Sequence, residues 1–170
     1  PDGRFLLAAS LAEVKEGADD WSHPGTVYVS RLPDGPVQMV NLEPVLKDVF
    51  KNHGLLVSRL KDEDVLIITG AEGMFVHRLQ EPDWRFDRVL DHEISEVWLR
   101  DLDGDGLEEL VTIEPFHGDR LRVYRQDAGT WTPVLEEGLA DRFGVLLGEN
   151  QHCLAGGGDL ERIRVVRRGA

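Results

Sequence analysis

Four short segments repeat along the chain: Thr26–Leu32 (TVYVSRL), Gly73–Leu79 (GMFVHRL), Arg120–Gln126 (RLRVYRQ) and Arg162–Arg168 (RIRVVRR). Each carries two apolar residues two positions apart: Val27/Val29, Met74/Val76, Leu121/Val123 and Ile163/Val165. Each then has an arginine two places on. These arginines, Arg31, Arg78, Arg125 and Arg167, are spaced by 47, 47 and 42 residues, and Trp84 and Trp131 are also 47 apart. Period-2 alternation marks a strand with one buried face. A period in the forties, with short strands between turns, predicts the blades of a β-propeller.

The strands of each repeat can be placed. The second repeat predicts strands at Gly54–Leu60, Asp64–Gly70, Met74–Leu79 and Phe86–Leu90. The third predicts Glu96–Leu102, Glu109–Ile113, Arg120–Arg125 and Thr132–Leu135. The fourth offers Phe143–Leu147, His152–Gly156 and Arg162–Arg167. The first offers Arg4–Ala9, Thr26–Leu32 and Val37–Leu42, without an obvious inner strand. Leu11–Ala18 reads as a loop and Pro44–Phe50 as a short helical turn. Pro24, Pro33, Pro36, Pro82 and Pro133 are placed between strands, where a missing N–H costs least. The expectation is all-β: about four blades of four antiparallel strands, over residues 1–46, 47–92, 93–138 and 139–170. Four is the low end for a closed propeller. An open array leaves edges exposed, so further blades or self-association are expected.

The 170 residues hold 19 basic and 32 acidic side chains, a net charge of −13. Such a surface repels nucleic acid and anionic membrane, and no apolar run reaches the ~18–20 residues of a membrane span. The single cysteine, Cys153, excludes an internal disulfide. Pro1-Asp2-Gly3-Arg4 does not read as a signal peptide. The chain therefore reads as a piece of a longer protein or as a mature form.

One loop carries the clearest chemistry. Asp101-Leu102-Asp103-Gly104-Asp105-Gly106-Leu107-Glu108-Glu109 sets carboxylates at positions 1, 3, 5 and 9. Calcium takes six to eight oxygens, mostly from carboxylates and carbonyls. Alternate residues of a tight loop can point inward, Gly104 and Gly106 permit the turn, and the Leu107 carbonyl can add an oxygen. An EF-hand would need Glu at position 12, where Thr112 stands. The predicted metal set is Asp101, Asp103, Asp105, Leu107 and Glu109, with calcium as cofactor. The turns Lys61–Asp64 and Gly148–Gln151 lack the spacing, so one site is expected.

This loop resembles the calcium loop of the FG-GAP and VCBS repeats of integrin-type propellers, which joins the first two strands of a blade. The resemblance implies calcium ligands at Asp101, Asp103, Asp105 and Glu109. Glutamate at the last position departs from the commoner aspartate.

Ser95-Glu96-Val97, Glu114-Pro115-Phe116-His117-Gly118 and Asn52-His53-Gly54 resemble strings in the propeller of the aldos-2-ulose dehydratase family. That resemblance, over residues 50–168, implies a sugar-converting site in the channel with Glu96, Glu114, His117 and His53 as candidate catalytic residues. His92 can also reach the channel. The family tends to have a glycine-histidine pair where Gly144-Val145 stands here, and valine can neither ligate nor titrate. The same strings also suit plain turns, and Trp84 and Trp131 suit packing between blades. His77 and His23 read as surface residues. No GxSxG, P-loop, HExxH or CxxC motif occurs. The sequence therefore leans towards a non-enzymatic, calcium-stabilised module for a protein or carbohydrate ligand. The alternative is a sugar lyase or isomerase. Calcium use leans towards an extracytoplasmic setting.

Overall fold

The structure is a computed structural model that describes residues 5–36 and 39–138. It is all-β, with eleven strands in three antiparallel sheets and no helix among the described residues. The first sheet contains β1 (Phe5–Ala9), β2 (Gly25–Arg31) and β3 (Glu43–Val49). The second contains β4 (Leu55–Leu60), β5 (Glu63–Gly70), β6 (Gly73–Arg78) and β7 (Asp87–Leu90). The third contains β8 (Glu96–Arg100), β9 (Glu109–Glu114), β10 (Arg120–Asp127) and β11 (Thr130–Gly138). In each sheet, strands adjacent in sequence are adjacent in space.

Turn chemistry sets these meanders. Leu60 pairs with Glu63 across Lys61 and Asp62, both at positive φ (49° and 65°). Asp127 pairs with Thr130 across Ala128 and Gly129 (45° and 89°). Two residues at positive φ have the backbone twist that matches a right-handed strand pair. The β8–β9 connection is different. Arg100 pairs with Glu109, so the acidic loop 101–108 bridges that hairpin.

The sheets stack through two cores. Leu56, Val65, Ile67, Met74 and Val76 of the second sheet meet Val97, Leu99, Leu110, Tyr124 and Trp131 of the third. On its opposite face, Leu66 and Ile68 meet Val27, with Leu7, Val45 and Leu46 of the first sheet packed around them. Along its two central strands the middle sheet is therefore covered on both faces, and β5 is buried without a break from Val65 to Gly70. A strand covered on both sides has no polar alternation to display, which is why Val65-Leu66-Ile67-Ile68 is a continuous apolar run.

In the second and third sheets the strands fall within a few residues of the sequence expectation. Arg31, Arg78 and Arg125 lie on β2, β6 and β10, each the next-to-last strand of its sheet. The expected strands after residue 138, with Arg167 and Val145, lie outside the described residues.

Three expectations are corrected. The last strand of the first sheet is Glu43–Val49, and residues 39–42, the described part of the expected strand Val37–Leu42, are outside it; Pro44–Phe50 is not helical and the sheet runs past residue 46. Burial explains the choice: Val49 is 1% exposed, whereas Met39 is 83% exposed. Irregular register between β2 and β3 hides the alternation of that strand. Pro44 and Pro133 both lie inside strands, β3 and β11, but these are edge strands, where the missing N–H can face away from the ladder. His77 is buried, not a surface residue. Its ring lies against Trp84 and Phe86, and its Nδ1 is 3.0 Å from the Arg85 carbonyl. Only the cover on both faces of the middle sheet makes a histidine at that position internal.

Double-sided burial gives a direct test. Ile67→Ala and Ile68→Ala open different cores, and each should cost about 2–5 kcal/mol in urea unfolding. In a strand with one wet face only one of them would matter.

Candidate functional site

The acidic loop forms as its carboxylates take up backbone donors. Asp101 Oδ1 accepts from the Gly104 N–H at 2.6 Å and its Oδ2 from Gly106 at 3.0 Å. Asp103 Oδ1 accepts from Asp105 at 3.2 Å, and Asp105 Oδ1 from Leu107 at 2.8 Å. Glu109 Oε2 accepts from Leu102 at 2.9 Å. Gly104 and Gly106 stand at φ 82° and 89°, a backbone region that side chains rarely adopt.

Asp101, Asp103 and Glu109 come together, each offering an oxygen within 4.8 Å of the others, and can hold a metal ion. Their burial is graded: Glu109 is buried, Asp101 is half-buried and Asp103 is exposed. Asp105, expected as a ligand, is not part of this group. Leu107 is 48% exposed, and its N–H serves the Asp105 turn. The three carboxylates suit an oxygen-preferring cation in charge and donor type. Among the described residues no second group of this kind occurs.

In the sequence Arg125 stands out only as a repeat marker. In the structure its Nε donates to Glu109 Oε1 at 3.2 Å, and its Nη2 pairs with Asp103 Oδ2. The Glu109 hydrogen bond and the Asp103 charge hold its pKa above the ordinary arginine value.

A second cluster is built from connections between strands. His53, between β3 and β4, places Nδ1 2.6 Å from Glu96 Oε1 at the start of β8. The contact has ion-pair distance but not hydrogen-bond alignment, and that Nδ1 is out of reach of water. The His53 and His117 rings are 5.3 Å apart, and Phe116 stacks on His117 at 4.0 Å. Trp21, from the β1–β2 connection, meets Phe116 edge-on at 4.8 Å. Lys51 pairs with Glu93 at 2.6 Å, and Glu93 also accepts from the Phe116 N–H. Burial lowers the His117 pKa, as do the neighbouring His53 and Lys51, against the Glu96 charge. His117 keeps an exposed face, so solvent screens much of this effect. Neutral imidazole beside a carboxylate can accept or relay a proton.

His117 reaches this position through a tight turn. It stands at φ 48°, and the Gly118 N–H closes onto the Pro115 carbonyl at 2.7 Å. A Cβ at Gly118 would lie 2.1 Å from the Glu114 carbonyl oxygen, so only glycine fits there.

Glu114 does not join this group as expected. Its residue is 3% exposed, and Thr112, Tyr124 and Arg122 donate to its carboxylate at 2.7, 2.8 and 2.6 Å. His92 Nε2 lies 3.1 Å from Glu114 Oε1 and 3.0 Å from the Tyr124 hydroxyl. Burial, together with the Glu114 hydrogen bond and charge, pushes the Tyr124 phenol up to about 12 against the influence of Arg122. The reason is strand parity. Glu114, Thr112, Arg122 and Tyr124 share the face of the third sheet that packs on the second. Among the remaining candidates, Trp131 lies in that same core, Trp84 packs on Phe5 and His77, and His23 is exposed.

A separate cleft of about 390 Å³ opens between the first two sheets, lined by Phe5, Leu7, Val57, Asp64 and Trp84. It holds none of the candidate histidines.

Over the described residues, fold and loop together define an all-β arrangement of stacked antiparallel meanders with one metal-capable acidic loop. Comparison with models of known families, curated proteins and solved structures finds no match to this chain.

Tyr124→Phe removes one donor from a buried carboxylate that keeps three other partners. Unfolding experiments should show a loss of about 1–2 kcal/mol, without change in the exposed loop 101–108. No loss would mean that the Tyr124 hydroxyl adds nothing to the buried network.

Proposed function

We propose that this chain is part of a β-propeller of the FG-GAP/VCBS type. In this reading it is a binding or scaffold module for a protein or carbohydrate ligand, stiffened by calcium in loop 101–109 and without catalytic activity. The observation that carries the reading is the placement of Asp101, Asp103 and Glu109 in the connection between the first two strands of a four-stranded meander. That meander is stacked face to face on another like it. Calcium suits an all-oxygen donor set better than zinc or copper, which favour nitrogen and sulfur. Self-association or further blades would cover the outer faces of the stack.

A bound ion would hold together the ends of β8 and β9, which the loop joins. Calcium at ~100 times its dissociation constant should add about 2.7 kcal/mol of stability. EDTA should remove the gain, and Asp103→Ala should abolish it. Identical melting curves in calcium and EDTA would defeat the calcium reading.

A second reading, a sugar lyase or isomerase, is favoured by one observation: His53, Glu96 and His117 converge beside aromatic rings. Glu114 lends it no support, because its carboxylate is engaged between sheets. Under the binding reading, keto-sugars and anhydro-sugars are not turned over by the wild-type chain. Turnover that disappears in His53→Ala would replace that reading with the enzymatic one.

A further inference from the structure

We infer that the free edge of β1 is a strand-addition site, which takes an extended, apolar and basic segment of a separate protein partner. This rests on the reading of the chain as a binding module and names how a protein ligand is held.

The first sheet is one strand short. The second and third sheets have four strands and begin with β4 and β8, whereas the first has three and begins with β1. The shortfall leaves part of the middle sheet bare. On the face of β4 towards the third sheet, Leu56 packs in one core with Val97 and Leu99 of β8 and is 7% exposed. On the opposite face Leu55 and Val57 pair in register with Ile68 and Leu66, which the first sheet covers. There Leu55 is 37% exposed and Val57 53%. Among the described residues no strand lies over them.

The backbone beside this gap is ready to pair. The Ser10 N–H donates to the Thr26 carbonyl. Backbone groups alternate sides along a strand, so Leu6 and Ala8 also face β2, while Phe5, Leu7 and Ala9 turn their N–H and C=O groups to the free edge. Natural edges are blunted by charge, proline or bulges. Every other edge strand carries charge: Lys47 in β3, Arg59 in β4, Asp87 in β7, Glu96 in β8 and Glu136 in β11. β1 is Phe-Leu-Leu-Ala-Ala in unbroken register, with no charge, proline or bulge. The unpaired edge and the bare apolar floor meet at one corner. The cleft of about 390 Å³ reaches into it between Phe5 and Leu7 on one side and Val57 on the other. One extended strand satisfies both walls, with its main chain on β1 and every second side chain over Leu55 and Val57.

Charge and packing select the occupant. A second copy adding its own β1 antiparallel, about a twofold axis normal to the sheet, would bring its β4 into the space of β5. The described chain ends on β11, in the third sheet, with the middle sheet between it and β1. The net charge of −13 and Asp64 in the cleft wall favour a basic segment. β4 illustrates the chemistry that suits such a place: Leu55–Leu60 reads LLVSRL, apolar residues with an arginine near the C-terminal end.

The probe is a synthetic peptide with the sequence of residues 54–61, titrated into the full chain and followed by calorimetry and NMR hydrogen exchange. In the free chain the Phe5, Leu7 and Ala9 amides should exchange freely while Leu6 and Ala8 are protected. The peptide should slow the first set. Val57→Lys, at a side chain already exposed, should weaken binding about tenfold or more. The same peptide N-methylated along its pairing edge should not bind. Absence of peptide binding overturns the inference, as does binding that leaves the Phe5, Leu7 and Ala9 amides unchanged. Protection of those amides in the free chain at every concentration would assign the edge to the chain's own residues, and protection that grows with protein concentration would assign it to a second copy; either overturns the separate partner. A failed peptide titration beside a calcium-dependent melting curve overturns the inference alone, whereas identical melting curves overturn the calcium-stiffened module whatever the peptide does.

Discussion

The structure depends on burying both faces of the middle sheet. β4–β7 contribute Val65, Ile67, Met74 and Val76 to one core and Leu66 and Ile68 to the other. The first and third sheets each need that surface, since each has its own apolar face to cover. Trp131 and Tyr124 fill one interface, and Trp84 and Phe5 meet across the other. With sheet order and spacing set by this packing, the connections between strands are held in place. Those connections carry the chemistry.

In the third sheet a single stretch serves both sides of this arrangement. Glu114 ends β9 with its carboxylate turned to the interface, where Arg122, Tyr124, Thr112 and His92 surround it. Three residues later His117 faces His53 and lies near Trp21. The buried ion pair anchors the start of the turn, and the glycine-only position at Gly118 fixes its close. Removing one partner from a buried charge is far more damaging than losing a surface pair. The network therefore limits how far the ring cluster can drift.

The acidic loop solves a different electrostatic problem. Three carboxylates within reach of one another repel unless donors and a cation compensate. Backbone N–H groups of the loop supply four of the hydrogen bonds, and Arg125 supplies the charge. Asp105, next in the motif, is spent on folding the loop through the Leu107 N–H. A motif read as five equivalent ligands thus separates into residues that gather at a centre and residues that shape the turn.

The sequence by itself determined the strands of the second and third sheets, because turn residues and short-range alternation are local properties. It also located the acidic loop, whose spacing needs nothing from the rest of the chain. It marked His53, Glu96 and His117, but only by resemblance. It could not place Glu43–Val49, since an irregular register erases period-2 alternation. The inward histidine at position 77, the turn of Glu114 away from the ring cluster, and the arrival of Trp21 from the β1–β2 connection were decided by tertiary structure. So was the pairing of Arg125 with Asp103 and Glu109. Each depends on which sheet covers which face, and burial by a neighbour distant in sequence leaves no local trace in the residues that it buries.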